Sequence, residues 1–193
     1  MLEDRLWKVT RTRPARVVYE ALAARGVKAA TMLLYVCEEV PAVRPPEGVT
    51  FARYTGGAYP ADARAEAYAD LDPADEVLFA LVDGEYAGRV FLSARPVTET
   101  AIDETVDREG AYVWRLFTDP AFRGRGVASA LVGRGVALAR EAFGVDRAYA
   151  LVARDNYPSK RTFESNGFEA RERVDYWRVG RASRRRWRSL DDE

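Results

Sequence analysis

Phe117-Thr118-Asp119-Pro120-Ala121-Phe122-Arg123-Gly124-Arg125-Gly126-Val127-Ala128-Ser129-Ala130-Leu131 reads as the end of a strand, a tight turn rich in glycine and arginine, and the start of an amphipathic helix. The first turn of a helix carries backbone N–H groups without intrahelical acceptors. With the positive end of the helix dipole they form a site for an anion. Gly124 and Gly126 let the backbone approach that anion closely, because no Cβ stands in the way. The expected ligand is a phosphate, and more specifically a diphosphate.

Further along stands Asn156-Tyr157-Pro158-Ser159-Lys160-Arg161-Thr162-Phe163-Glu164-Ser165-Asn166-Gly167-Phe168. Asn156 suits an N-cap, Pro158 a first helical turn and Gly167 a helix stop. This pair of segments, in this order, resembles the Gcn5-related N-acetyltransferase (GNAT) superfamily. Arg123-x-x-Gly126-x-Ala128 matches that family's acyl-CoA pyrophosphate loop. Asn156, Pro158 and Gly167-Phe168 match its next strand–helix motif. The resemblance runs from about Val49 to Val179.

The resemblance implies an acyl-CoA-dependent N-acyltransferase, with acetyl-CoA as the expected cosubstrate and a small-molecule or peptide amine as acceptor. It implies that the backbone of Gly124, Arg125, Gly126, Val127, Ala128 and Ser129 holds the pyrophosphate. Arg123 and Arg125 would add charge, although Arg125 reads equally well as a solvated surface residue. In the family the strand before the loop splays from its neighbour and the pantetheine arm fills the gap. By position the backbone of Leu116, Phe117 and Thr118 would pair with that arm, and an N–H there can stabilise an oxyanion. Asn156 would contact the cofactor. Many relatives carry a tyrosine acid where this chain has Phe163, which cannot donate a proton. Tyr157 and Tyr149 are the substitutes considered. No general base stands out. Asp62, Glu66, Asp70, Asp72 and the acidic loop holding Glu99, Asp103, Glu104, Asp107 and Glu109 are candidates, but read more simply as solvated charge.

Around these motifs the chain reads as an α/β protein. The resemblance implies a mixed, mostly antiparallel twisted sheet flanked by helices. Residues 1–48 form a helix–strand extension, with a helix from Pro14 to Arg25 and a strand from Thr31 to Cys37. Residues 49–193 form the acyltransferase domain. There, Val49–Arg53, Val77–Val82, Tyr86–Ala94, Ala111–Thr118 and Arg147–Val152 read as strands, and Asp83-Gly84 as a hairpin turn. Ala61–Ala69, Gly126–Phe143 and Tyr157–Asn166 read as helices, and the segment from Phe168 onward as extended.

Composition narrows the classes. The chain has 193 residues, 48% apolar and 31% charged, with 30 basic and 30 acidic side chains. That balance argues against nucleic acid as a partner. Cys37 is the one cysteine and histidine is absent, so an internal disulfide, a Cys/His zinc site and imidazole catalysis are excluded. No metal is expected. The lone cysteine and the lack of an apolar leader or spanning segment point to the cytoplasm and away from membranes. A homodimer stays open. Eight arginines between Arg171 and Arg188, with Trp177 and Trp187 among them, leave an RNA- or ribosome-binding module as a rival function. A non-catalytic acyl-CoA-binding domain is the other.

Overall fold

The computed structural model describes residues 26–39, 45–55, 58 and 70–190. The helices expected over Pro14–Arg25 and Ala61–Ala69, with Asp62 and Glu66, lie outside the described residues.

Strand β1 spans Val27–Cys37, β2 Val49–Thr55, β3 Glu76–Val82 and β4 Glu85–Ser93. β5 (Val97–Glu99) and β6 (Glu104–Val106) follow, then β7 (Ala111–Thr118) and helix α1 (Val127–Phe143). β8 (Ala148–Ala153), helix α2 (Tyr157–Glu164), β9 (Glu169–Val179) and β10 (Ala182–Ser189) complete the order. Eight strands make one sheet in the order β10-β9-β1-β8-β7-β4-β3-β2. Among the described strands β7 and β8 run parallel and the other neighbours antiparallel. The expected mixed, mostly antiparallel sheet with flanking helices is thus the observed fold.

Alternation along the strands feeds two faces. On one face α1 lays Val127, Leu131, Val132, Val136, Leu138 and Ala139 against Leu78, Ala80, Val90, Leu92 and Val113. The other face is aromatic. Tyr112 stacks on Tyr149 with centroids 5.1 Å apart, and Phe91 meets Trp114 edge-on at 5.2 Å. The indole N–H of Trp114 donates to Ser93 Oγ at 2.8 Å, so its polar atom is satisfied in the core.

Two features depart from the sequence reading. The strand expected in the extension begins earlier, at Val27, and lies inside the sheet between β8 and β9. Tyr35 and Cys37 on β1 are each 1% exposed, so this strand is part of the main core.

The second departure is the acidic loop. It contains the β5–β6 hairpin, and its acids are mostly paired rather than solvated. Ile102 at its turn is fully buried against Met32, Val174 and Tyr176. Asp103 accepts from Lys28 Nζ at 2.8 Å, Tyr176 Oη at 2.5 Å and Arg178 Nη1 at 2.8 Å. Glu104 accepts from Trp187 Nε1 at 3.1 Å, and Arg185 Nε donates to the Ile102 carbonyl at 2.9 Å. The hairpin is therefore clamped across β1, β9 and β10.

The hydrogen bonds from Lys28 and Tyr176, with the charges of Lys28 and Arg178, hold the Asp103 carboxyl below its usual range. A depressed folded pKa stabilises the fold above the unfolded value of roughly 3.9. That stability is lost as pH falls through the folded pKa. Asp103→Asn is expected to lower the melting temperature at pH 7 and to flatten its decline between about pH 5 and pH 2. Equal acid limbs for variant and parent in a pH series of melting curves would refute this assignment.

Candidate active site

β7 and β8 pair through Ala111↔Ala148 and Tyr112↔Tyr149 and no further. Beyond that point each strand follows its outer neighbour. β7 stays with β4 as far as Thr118↔Gly88, and β8 stays with β1 as far as Ala153↔Met32. The sheet opens between them. A bulge in β7 accompanies the opening: Arg115 and Leu116 stand between the Phe91↔Trp114 and Arg89↔Phe117 pairs, opposite Val90 alone. Arg115 has φ +52°, a left-handed conformation that a Cβ-bearing residue seldom adopts inside a strand.

At the wide end of the opening the chain turns into α1. Asp119 accepts from Ala121 N at 3.0 Å and caps the short 3-10 turn Pro120–Phe122. Gly124 and Gly126 then take φ +76° and +77°, and Gly126 is the N-cap of α1. No side chain caps this helix and no acidic residue stands in its first turn. Its leading N–H groups and positive dipole end thus face no built-in anion.

Two cavities meet here. The larger, about 600 Å³, runs along the turn and the first residues of α1, and is closed by the end of β7 and the start of α2. The smaller, about 220 Å³, lies between β7 and β8, with Met32, Trp114, Leu151 and Phe163 in its wall. Leu116, Asn156 and Ser159 border both.

The structure brings Leu116, Phe117, Thr118, Arg123, Gly124, Gly126, Val127, Ala128, Ser129 and Asn156 into the wall of the larger cavity. Arg125 is not among them; its guanidinium lies 5.6 Å over the ring of Phe122. Arg123 Nε donates to the Thr118 carbonyl at 3.3 Å, which ties the turn to the end of β7. Thr118 Oγ1 is buried without a protein partner, a polar atom left available to a ligand. Asn156 Oδ1 accepts from Ser159 N at 3.5 Å, so one residue caps α2 and borders both cavities.

The sequence reading missed Phe122, Ser159 and Thr162 in the lining, and the buried Asn166 behind it. Asn166 Nδ2 donates to Ser129 Oγ at 2.9 Å and to the Thr162 carbonyl at 2.7 Å. It joins the first turn of α1 to α2. A buried asparagine just before the Gly167 stop was the available signal.

Phe163 is 3% exposed and packs on Tyr35 at 6.4 Å and edge-on to Phe168 at 5.0 Å. It presents a ring, with no proton to give, to the smaller cavity. Neither substitute tyrosine borders either cavity. Tyr149 is buried in the aromatic face, where desolvation raises its pKa, and Tyr157 lies under Lys160 Nζ at 4.9 Å. Asp70 accepts at 2.5 Å from Nη2 of Arg115, a residue of the smaller cavity's wall. Glu99 instead accepts from Tyr112 Oη at 3.1 Å, and Asp72 from Ala74 N at 2.9 Å. Among the described residues no group of three or more Cys, Asp or Glu side chains could hold a metal ion, and no helix is long and apolar enough to cross a membrane.

A mixed sheet that opens beside an uncapped helix N-terminus is the arrangement that the resemblance to the Gcn5-related N-acetyltransferases implies. The family model for the acetyltransferase (GNAT) family matches residues 46–168, and the chain belongs to that family. A solved structure of a GCN5-related N-acetyltransferase from Kribbella flavida shares the fold at a TM-score of 0.58 with 15% identity, over 86% of this chain and 72% of that one. An acetyltransferase of the GNAT family from Novosphingobium aromaticivorans gives 0.55 with 22% identity, over 82% and 67%. A GCN5-related N-acetyltransferase-like protein from Streptococcus suis gives 0.53 with 15% identity, over 92% and 69%. No curated protein sequence matches the chain.

Proposed function

We propose that the protein transfers an acetyl group from acetyl-CoA to an amine by direct attack. The observation that carries this reading is the continuity of the two cavities, from the anion-ready turn at Gly126 to the opening between β7 and β8. The residues fit the cosubstrate. N–H groups from Val127 to Ser129 suit the pyrophosphate, and the unpaired inner edge of β7 suits the amides of the pantetheine arm.

The amine nitrogen attacks the thioester carbon, and a main-chain N–H near Leu116 to Thr118 is placed for the oxyanion. The C–N bond forms, the C–S bond breaks and the sulfur leaves with the bonding pair. Phe163 supplies no proton, so the thiolate takes one from water. A thiol of ordinary pKa, roughly 8.5, permits that. The amine loses its proton to solvent or to Asp70.

The missing acid favours one second reading, a non-catalytic acyl-CoA-binding protein. The arginine-rich end lends little to an RNA-binding role. Arg171, Arg173, Arg178 and Arg185 all lie in ion pairs, with Glu169, Asp175, Asp103 and Glu104.

The test is a melting curve with CoA followed by thiol release from acetyl-CoA over an amine panel. CoA at a hundred times its Kd is expected to add about 2.7 kcal/mol of stability. No shift at millimolar CoA with folded protein refutes both readings. A shift with no amine-dependent thiol release favours the binding protein.

A further inference from the structure

Arg115 is the one basic residue lining the smaller cavity. It is also one of three non-glycine residues at positive φ among the described residues, and the one of them inside a strand of the main sheet. Its guanidinium lies 5.9 Å over the Trp114 ring and bonds Asp70. Leu116 of the bulge packs against the main core, whereas the Arg115 side chain is 42% exposed. The bulge accompanies the opening of the sheet, and its strained residue places a charged side chain beside the cavity that the opening makes, which directs attention to a functional role.

The chemistry of the pair is that of a zwitterion. Arg115 and Asp70 are both substantially exposed, 42% and 53%, so their mutual attraction is weak and the pair opens easily. Arg115 presents a planar fork matched to a carboxylate. Asp70 presents a carboxylate to an ammonium. Asp70 is itself positioned, because its carbonyl accepts from Arg95 Nη2 at 3.1 Å while Arg95 is held by buried Asp75 at 2.6 Å. The rest of the cavity's wall on this side, Met32, Trp114 and Leu151, is apolar and suits a hydrocarbon side chain.

We propose that Arg115 and Asp70 form the acceptor subsite, and that the acceptor is an amino acid with a free carboxylate beside the amine to be acetylated. Arg115 takes the carboxylate, Asp70 takes the ammonium, and the side chain lies along Trp114 and Leu151. This rests on the acetyltransferase reading and goes beyond it by naming the acceptor class and the residue that selects it.

The experiment compares matched acceptors: phenylalanine with phenethylamine and phenylalanine amide, and lysine with 1,5-diaminopentane. Thiol release from acetyl-CoA is measured for the parent, Arg115→Met and Arg115→Lys. Each amino acid is expected to exceed its carboxylate-free partner by about ten- to a hundredfold in kcat/KM, as a lost charge-assisted pair implies. Arg115→Met collapses that preference, and Arg115→Lys restores part of it. Both variants keep the melting shift with CoA. They share the parent's φ strain, so neither relieves nor adds to it.

Equal rates for amino acids and their carboxylate-free partners overturn the proposal, as does a preference that survives Arg115→Met. Calorimetric titration of phenylalanine into the CoA-saturated protein separates it from the catalytic reading. Binding lost in Arg115→Met supports the subsite even if nothing turns over. Absence of binding in the parent overturns the subsite even if another amine is acetylated.

Discussion

Gly126→Val is expected to abolish CoA binding, weakening it by at least a hundredfold in calorimetric titration. Two causes act together. Gly126 has φ +77°, and a left-handed conformation costs an ordinary residue roughly 1–2 kcal/mol, more when it is β-branched. A Cβ at this position would also lie 3.0 Å from Pro46 Cγ, so either the loop before β2 or the N-cap of α1 must shift. A shift at the cap redirects the N–H groups from Val127 to Ser129, whose convergence makes the anion site. Stability falls as well, so the melting temperature is measured without ligand alongside affinity. Gly124 separates the causes, because it has φ +76° with open space where its Cβ would stand. Gly124→Ala carries the left-handed cost of roughly 1–2 kcal/mol without the clash, and is expected to weaken CoA by a smaller factor. An unchanged CoA affinity in Gly126→Val would falsify the assignment of this turn to the pyrophosphate.

Phe163 carries the second large effect. Its ring fills the space between Tyr35, Phe168 and the smaller cavity. Phe163→Ala removes a buried aromatic, which typically costs about 3–5 kcal/mol. For a chain of this size that lowers the melting temperature by on the order of 10 °C. Phe163→Tyr behaves differently. It would add a hydroxyl to a ring that lines the smaller cavity with Asn156 and Ser159, and so a donor close to the proposed position of the sulfur. Turnover with one identified amine is expected to hold or rise modestly. A large fall in turnover at unchanged stability and CoA affinity would assign the ring to the acyl or acceptor pocket, and Phe163 would no longer be a vacated acid position.

The turn from Phe117 to Leu131 was legible because its causes are local. A proline-led turn after Asp119, glycines at positive φ and two apolar rows on a helix are encoded within a few residues of where they act. The N-cap at Asn156 and the stop at Gly167 are legible for the same reason. The helix expected over Gly126–Phe143 starts one residue later, because Gly126 is the cap. The acidic loop was misread because its pairing partners Lys28, Tyr176, Arg178 and Trp187 are far away in the chain. Charge on a segment does not say whether the opposite charge meets it.

The sequence by itself determined the family, the alternation of strands and helices, the anion-ready turn and the absence of a tyrosine at Phe163. Each depends on residue type and short spacing. The tertiary structure alone decided that β1 lies between β8 and β9, since an apolar alternating strand fits any gap with matching register. It alone placed Arg115 beside Asp70, because the φ of +52° at the bulge follows from how β7 divides its pairing between β4 and β8. Backbone hydrogen bonds are blind to side-chain identity, so the opening that forms the site is a property of strand pairing rather than of any motif.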